Sequence, residues 1–291
     1  DPASPRFNDV TATVDVGTSP SDLAISPDGA RLLVANPGSA DLSIIDTERS
    51  SENFNQVISS VGTGTPARSV AVTPDGTRVY LATEFGYLVL EAVSYGVIRQ
   101  NATGVATRTV AVSPDGTLLQ VIDTQGGLSY YDIVPGSNRE DQVLVRASTG
   151  TAVRAATVSP DGALVSVLQE RSNEIVVLGL QVDESVGVRS GDAAQVPSEL
   201  VEVAAFFAGQ DPAAVIYDPL APERFFVACA GEDAVYVLQP AGAVPPAPAS
   251  LTATPVASGD PTSGTFPIQV GWPPVGEDLW VTLYRKGFGN Y

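Results

Sequence analysis

Apolar residues along this chain fall into short alternating stretches rather than helical rows. Leu23-Ala24-Ile25, Val70-Ala71-Val72, Val110-Ala111-Val112 and Ala156-Thr157-Val158 each run into a polar turn. Arg31 to Ala35, Arg78 to Ala82, Leu118 to Ile122 and Leu164 to Leu168 lead out of those turns. A third stretch follows, as at Leu42 to Asp46, Leu128 to Ile133, Glu174 to Leu178 and Ala234 to Leu238. A period of two predicts half-buried strands, and no segment carries a 3.6-residue apolar period, so almost no helix is expected.

The turn between the first two stretches recurs as Ser26-Pro27-Asp28-Gly29, Thr73-Pro74-Asp75-Gly76, Ser113-Pro114-Asp115-Gly116 and Ser159-Pro160-Asp161-Gly162, with a degenerate fifth copy at Asp218-Pro219-Leu220-Ala221-Pro222. Proline presets φ at the first central position, aspartate tolerates the second and bonds nearby backbone, and glycine takes the position where positive φ is needed. The copies start 47, 40, 46 and 59 residues apart (26, 73, 113, 159, 218). Segments such as Gln56 to Gly62 and Leu200 to Phe207 supply a fourth strand. Four short strands repeated at that spacing predict the blades of an all-β propeller.

The first copy resembles the YVTN-type propeller repeat: Val16-Gly17-Thr18-Ser19-Pro20, Leu23 to Gly29, Leu33-Val34-Ala35-Asn36 and Leu42 to Thr47. Later copies keep the turn and lose much of the rest, and the resemblance covers about residues 16–239. That family includes surface proteins, periplasmic binders and a minority of enzymes, so the resemblance implies a fold and leaves function open. Five inner strands can be counted. The fifth copy lacks an outer strand, and the alternating segment Asp9 to Val16 is expected to complete it, giving a five-bladed β-propeller closed by an N-terminal strand. The alternative, a divergent blade in Gln181 to Ser198, has the polar composition of a surface excursion.

The propeller is assigned to residues 1–240. Ala241 to Pro248 reads as a proline-stiffened linker. Residues 249–291 hold three strand-like stretches, Ala249 to Thr254, Phe266 to Trp272 and Leu279 to Lys286, and resemble the start of a fibronectin type III-like or Ig-like sandwich. Such a sandwich needs seven strands. The segment is read as a truncated domain, or as strands that pair with a neighbouring chain and so form a homo-oligomer.

Composition narrows the chemistry. The chain has 33 acidic and 15 basic residues, a net charge of −18. That field opposes nucleic acid and anionic membrane surfaces. No apolar run approaches the ~20 residues of a membrane-spanning helix. There is no methionine, so the stretch reads as a processed part of a longer precursor, exported to the periplasm, cell surface or extracellular space. The single cysteine, Cys229, sits in a strand-like apolar context. There is no histidine, which excludes Ser-His-Asp and Cys-His triads and histidine-ligated zinc or haem. Any enzyme on this chain would need carboxylates, arginine, tyrosine or an oxygen-bound cation.

Aligning the repeats on the turn exposes one constellation. The residue five positions before each turn is Ser21, Arg68, Arg108, Arg154 and Ala213. In a propeller this is the channel mouth, where Arg68, Arg108 and Arg154 could hold a carboxylate or phosphate. The competing role is pairing with acidic residues of the same or adjacent blade. The turn aspartates Asp28, Asp75, Asp115 and Asp161 are explained by turn geometry rather than by calcium, and Asp183, Glu184 and Asp192 lack calcium-loop spacing. Asn101-Ala102-Thr103 matches the glycosylation sequon. Phe85, Tyr87, Tyr95 and Tyr130-Tyr131 could stack on sugars, with core packing expected for most. The combined expectation is a non-enzymatic secreted or cell-surface scaffold that binds a protein or matrix partner, with no catalytic residues, metal or cofactor. A small-anion binder at the channel mouth and a carboxylate-dependent hydrolase or lactonase are the alternatives.

Overall fold

The computed structural model describes residues 12–149, 152–159, 162–170, 172–182, 197–218, 221–238, 252–255, 268–271 and 281–283. The fold is an all-β five-bladed propeller with almost no helix. It divides into two compact units.

The first unit carries three blades, each a four-stranded antiparallel meander. Blade one is β1 (Asp22–Ile25), β2 (Arg31–Asn36), β3 (Asp41–Asp46) and β4 (Val57–Gly62). Blade two is β5 (Ala67–Val72), β6 (Arg78–Thr83), β7 (Gly86–Glu91) and β8 (Val97–Ala102). Blade three is β9 (Thr107–Val112), β10 (Leu118–Asp123), β11 (Gly127–Asp132) and β12 (Val143–Ser148). The second unit holds β13 (Val153–Val158), β14 (Leu164–Gln169), β15 (Glu174–Val182) and β16 (Pro197–Phe207, from Leu200 on) as one blade. Its second blade pairs β17 (Pro212–Asp218), β18 (Ala221–Cys229) and β19 (Ala234–Leu238). Three further strands, β20 (Thr252–Pro255), β21 (Ile268–Gly271) and β22 (Val281–Leu283), form a separate antiparallel sheet.

Middle strands are buried on both faces, which explains their near-continuous apolar runs. In blade two, Val79, Leu81, Leu88 and Leu90 pack with Leu33, Ala35, Leu42 and Ile44 of blade one. The alternate residues Tyr80, Ala82, Tyr87 and Val89 pack with Val110, Leu119, Val121, Tyr131 and Ile133 of blade three. Period two thus sends successive side chains into two different cores. In the second unit Leu168, Ile175, Val177, Val215, Tyr217, Phe225 and Val227 form a third, and Cys229 lies buried there as a small hydrophobe.

The repeated turn forms as its residues dictate. Gly29 N–H donates to Ser26 O at 2.8 Å, and Gly76 and Gly116 repeat the bond to Thr73 and Ser113. These glycines have φ near +70° (71°, 69°, 73°), cheap only without a Cβ. The Pro27 ring lies against Gly76, where a Cβ would stand 3.7 Å from Pro27 Cδ, and Pro74 lies likewise against Gly116 at 3.4 Å. At these two joints the proline of one blade therefore seats on the glycine of the next.

One expectation is corrected in part. Ala12 to Val16, the described end of the proposed closing strand, lie outside any sheet. The chain there is tied to blade one instead: Gly17 N–H donates to Ser43 Oγ (3.3 Å) and Thr18 N–H to Ser39 Oγ (2.8 Å). Residues 9–11 lie outside the described residues, as does most of Gln181 to Ser198.

Candidate functional site

The three arginines share a backbone device that the sequence does not spell out. In blade two the β5–β6 register steps from Ala67↔Thr83 to Ser69↔Ala82, leaving Arg68 as the extra residue of a β-bulge. In blade three Thr107↔Asp123 steps to Thr109↔Ile122, leaving Arg108. In the second unit the same shift leaves Arg154 between Val153 and Ala155, and Ala213 between Pro212 and Ala214. A bulge breaks the in-out alternation and re-aims the extra side chain.

Within the first unit, inner strands β1, β5 and β9 lie side by side. A stepped set of bonds fixes them: Ser21 Oγ donates to Arg68 O (2.8 Å), Val70 N–H to Asp22 Oδ2 (2.9 Å), and Val110 N–H to Ser69 Oγ (3.3 Å). Arg68 and Arg108 thus occupy equivalent positions on adjacent strands. Arg154 belongs to the second unit.

Arg68 stands 3.8 Å from Glu84, on the β6–β7 hairpin of its own blade, with both side chains about half exposed (50% and 46%). Arg154 is ion-paired with Asp211. Arg108 is partly buried. Next to Glu84, Phe85 is 57% exposed. On β1 the exposed positions alternate and are apolar, Leu23 and Ile25. The strand-start end of the first unit therefore carries Arg68 and, next to its partner Glu84, an exposed phenylalanine, two residue types that anchor protein contacts.

The turn aspartates are spent locally. Asp28 Oδ1 accepts from Ser26 Oγ and the Ala30 N–H, and Asp75 accepts from Thr73, from the Thr77 N–H and from the Thr77 hydroxyl. The neighbouring hydroxyl is the main reason both carboxyls sit below the usual carboxylate range. Asp115 is lowered too, its bonds to Ser113 and Thr117 together outweighing burial. Asp161, Asp183, Glu184 and Asp192 lie outside the described residues. Asn101 Nδ2 is buried, so the folded chain offers no accessible glycan acceptor there. Of the aromatics, Tyr87, Tyr130 and Tyr131 are core residues.

Comparison with known proteins places the fold and no more. No family model and no curated protein matches the chain. Among solved structures, a protein from Bacteroides uniformis provisionally named a 6-phosphogluconolactonase is 15% identical, with a TM-score of 0.60 over 78% of this chain and 68% of that one. A β-propeller domain from Myceliophteria thermophila is 12% identical, TM-score 0.52, over 79% and 86%. Hydrazine synthase from Kuenenia stuttgartiensis is 17% identical, TM-score 0.50, over 79% and 80%. This chain has the β-propeller fold. That fold serves proteins with different names and tasks, so function must be argued from side chains.

Proposed function

We propose that this chain is a non-enzymatic binding module, and that its contact face is the strand-start end of the blades. The observation that carries the reading is the recurring bulge, which sets Arg68 and Arg108 at equivalent positions on adjacent strands, at the end of the blades where Phe85 is exposed next to the Arg68 partner Glu84. An exposed ion pair such as Arg68–Glu84 is worth little in water, so a partner's carboxylate exchanges with Glu84 at small cost. An exposed phenylalanine next to the Arg68 partner Glu84 favours a protein surface over a small anion. An exported, surface-located role fits the acidic composition, and the strands β20–β22 would extend the module beyond the propeller.

The test is a pull-down and titration against extracellular or periplasmic partners with the wild type and with Arg68→Ala, Arg108→Ala and Phe85→Ser. Each substitution should weaken binding by about 1–2 kcal/mol and leave the unfolding midpoint nearly unchanged. A partner that binds all three variants as it binds the wild type would remove this face from the reading. The hydrolase alternative rests on the provisionally named lactonase neighbour. Turnover of a lactone by the full chain would replace the binding reading with that one.

A further inference from the structure

At the opposite end of the same strands, blades one and two leave a cleft of about 280 Å3 lined by Leu33, Val72, Val79, Ala92, Tyr95 and the turn aspartates Asp28 and Asp75. Its floor is apolar and its mouth is acidic. Tyr95 closes one side with a left-handed backbone, φ 56°, a conformation bulky residues rarely hold. The connection carrying it is pinned. Glu91 accepts from the Val93 N–H (3.1 Å) and the Ser94 N–H (2.5 Å), and Tyr95 N–H donates to Glu91 O (2.8 Å).

Charge around the cleft is lopsided. Arg31 also lines it, but its guanidinium is turned to Asp46 Oδ1 (3.0 Å) and to Ala30 O (2.7 Å). Asp28 Oδ1 and both oxygens of Asp75 accept from neutral hydroxyl and N–H donors, which leaves each carboxylate its negative charge. An acidic ligand would face two carboxylates. A cationic one would meet them with opposite charge.

We propose that this cleft receives a lysine or arginine side chain presented by a basic segment of a partner protein. The methylene stem lies on Leu33, Val72, Val79 and Ala92, as long cationic side chains lie on apolar surface. The cation then meets Asp28 and Asp75 at the mouth and the face of Tyr95 beside them. The volume fits one such side chain and is small for a drug-sized ligand. The net charge of −18 steers a basic partner toward the chain, and the cleft supplies the local fit. This site is separate from the bulge face, and either can stand without the other.

The experiment titrates the full chain with a fluorescein-labelled peptide of alternating arginine and alanine, and with its glutamate counterpart, at low ionic strength. Tyr95→Asn is the decisive variant: it removes the ring, leaves net charge unchanged, and asparagine tolerates the left-handed backbone. The arginine peptide should bind the wild type, and Tyr95→Asn should bind it about tenfold more weakly. The glutamate peptide should not bind. Equal binding by Tyr95→Asn and wild type would show attraction to diffuse charge and overturn the proposal. Arginine amide competing as well as the peptide, mole for mole, would overturn the assignment to a protein segment. Should Tyr95→Asn melt early, Val93→Arg at an 84%-exposed position places a resident cation at the mouth and should block the peptide. Undiminished binding by that folded variant would equally overturn the site.

Discussion

The first unit holds two seams built from the same strand plan, and they close differently. Between blades one and two the core is aliphatic, and Arg31 pairs within its own blade with Asp46 at 3.0 Å. Between blades two and three the core is tyrosine-rich: Tyr80 and Tyr87 stand 6.2 Å apart, and Tyr87 meets Tyr131 edge-on at 5.2 Å. There the equivalent arginine, Arg78, reaches across to Glu140 of blade three at 2.9 Å, and Arg99 pairs with Asp141. The connecting segments make the difference. Residues 92–96 in blade two form a tight turn, whereas 133–142 in blade three are long enough to fold back onto the neighbour. The strands fix where a seam lies. The loop decides whether it is sealed by ions or left open for a guest.

Truncating the packing should separate the seams most. Tyr80→Ala should cost about 4 kcal/mol and Leu33→Ala about 3 kcal/mol, read by urea unfolding. Equal costs would mean that the aromatic seam gains nothing over the aliphatic one. Next, Glu140→Gln should cost about 2 kcal/mol, because Arg78 and Arg99 lose their shared carboxylate. A double-mutant cycle with Arg78→Ala should return a coupling of about 1 kcal/mol. A coupling near zero would make the cross-seam ion pair ornamental.

Acid should reveal the same asymmetry. Glu140 lies below the usual carboxylate range because the Gly136 N–H bonds it and Arg78 and Arg99 face it, against the effect of burial. A depressed folded value means its contribution is complete above the ordinary 4.5 and is lost as pH falls through the folded value. Wild-type stability should therefore fall more steeply below pH 4.5 than that of Glu140→Gln, measured by midpoint against pH. The smallest effect is expected at the open seam, where Val93→Ser should shift stability by no more than about 0.5 kcal/mol.

Most of the strand framework was legible because Ser/Thr-Pro-Asp-Gly fixes a turn and flanking alternation fixes two strands around it. Arg31 to Ala35 and Ala234 to Leu238, for example, match β2 and β19 within one residue. The arginine positions were visible by aligning repeats. Their bulge was not, since a bulge is a relation between two strands and leaves no mark on one. Their partners were hidden for a related reason: Glu84 sits on a hairpin and Asp211 in a connection, at unrelated offsets from the turn. The open cleft was invisible too, since it depends on what the neighbouring blade's loop fails to cover. Asp9 to Val16 alternates as a strand should, yet pattern alone cannot weigh sheet pairing against the bonds that hold Gly17 and Thr18 to blade one.

The proline seated on the next blade's glycine has an implication for how such a chain can change in length. The second repeat carries both halves of the joint, Pro74 projecting onto Gly116 on one side and Gly76 receiving the Pro27 ring on the other. A duplicated or deleted repeat brings or removes a matched pair, so the new neighbours already fit. Blade number can then drift by recombination between such repeats without the joint being reinvented, whereas a single substitution of Gly76 or Gly116 would strain one turn, held at positive φ, and leave the others intact.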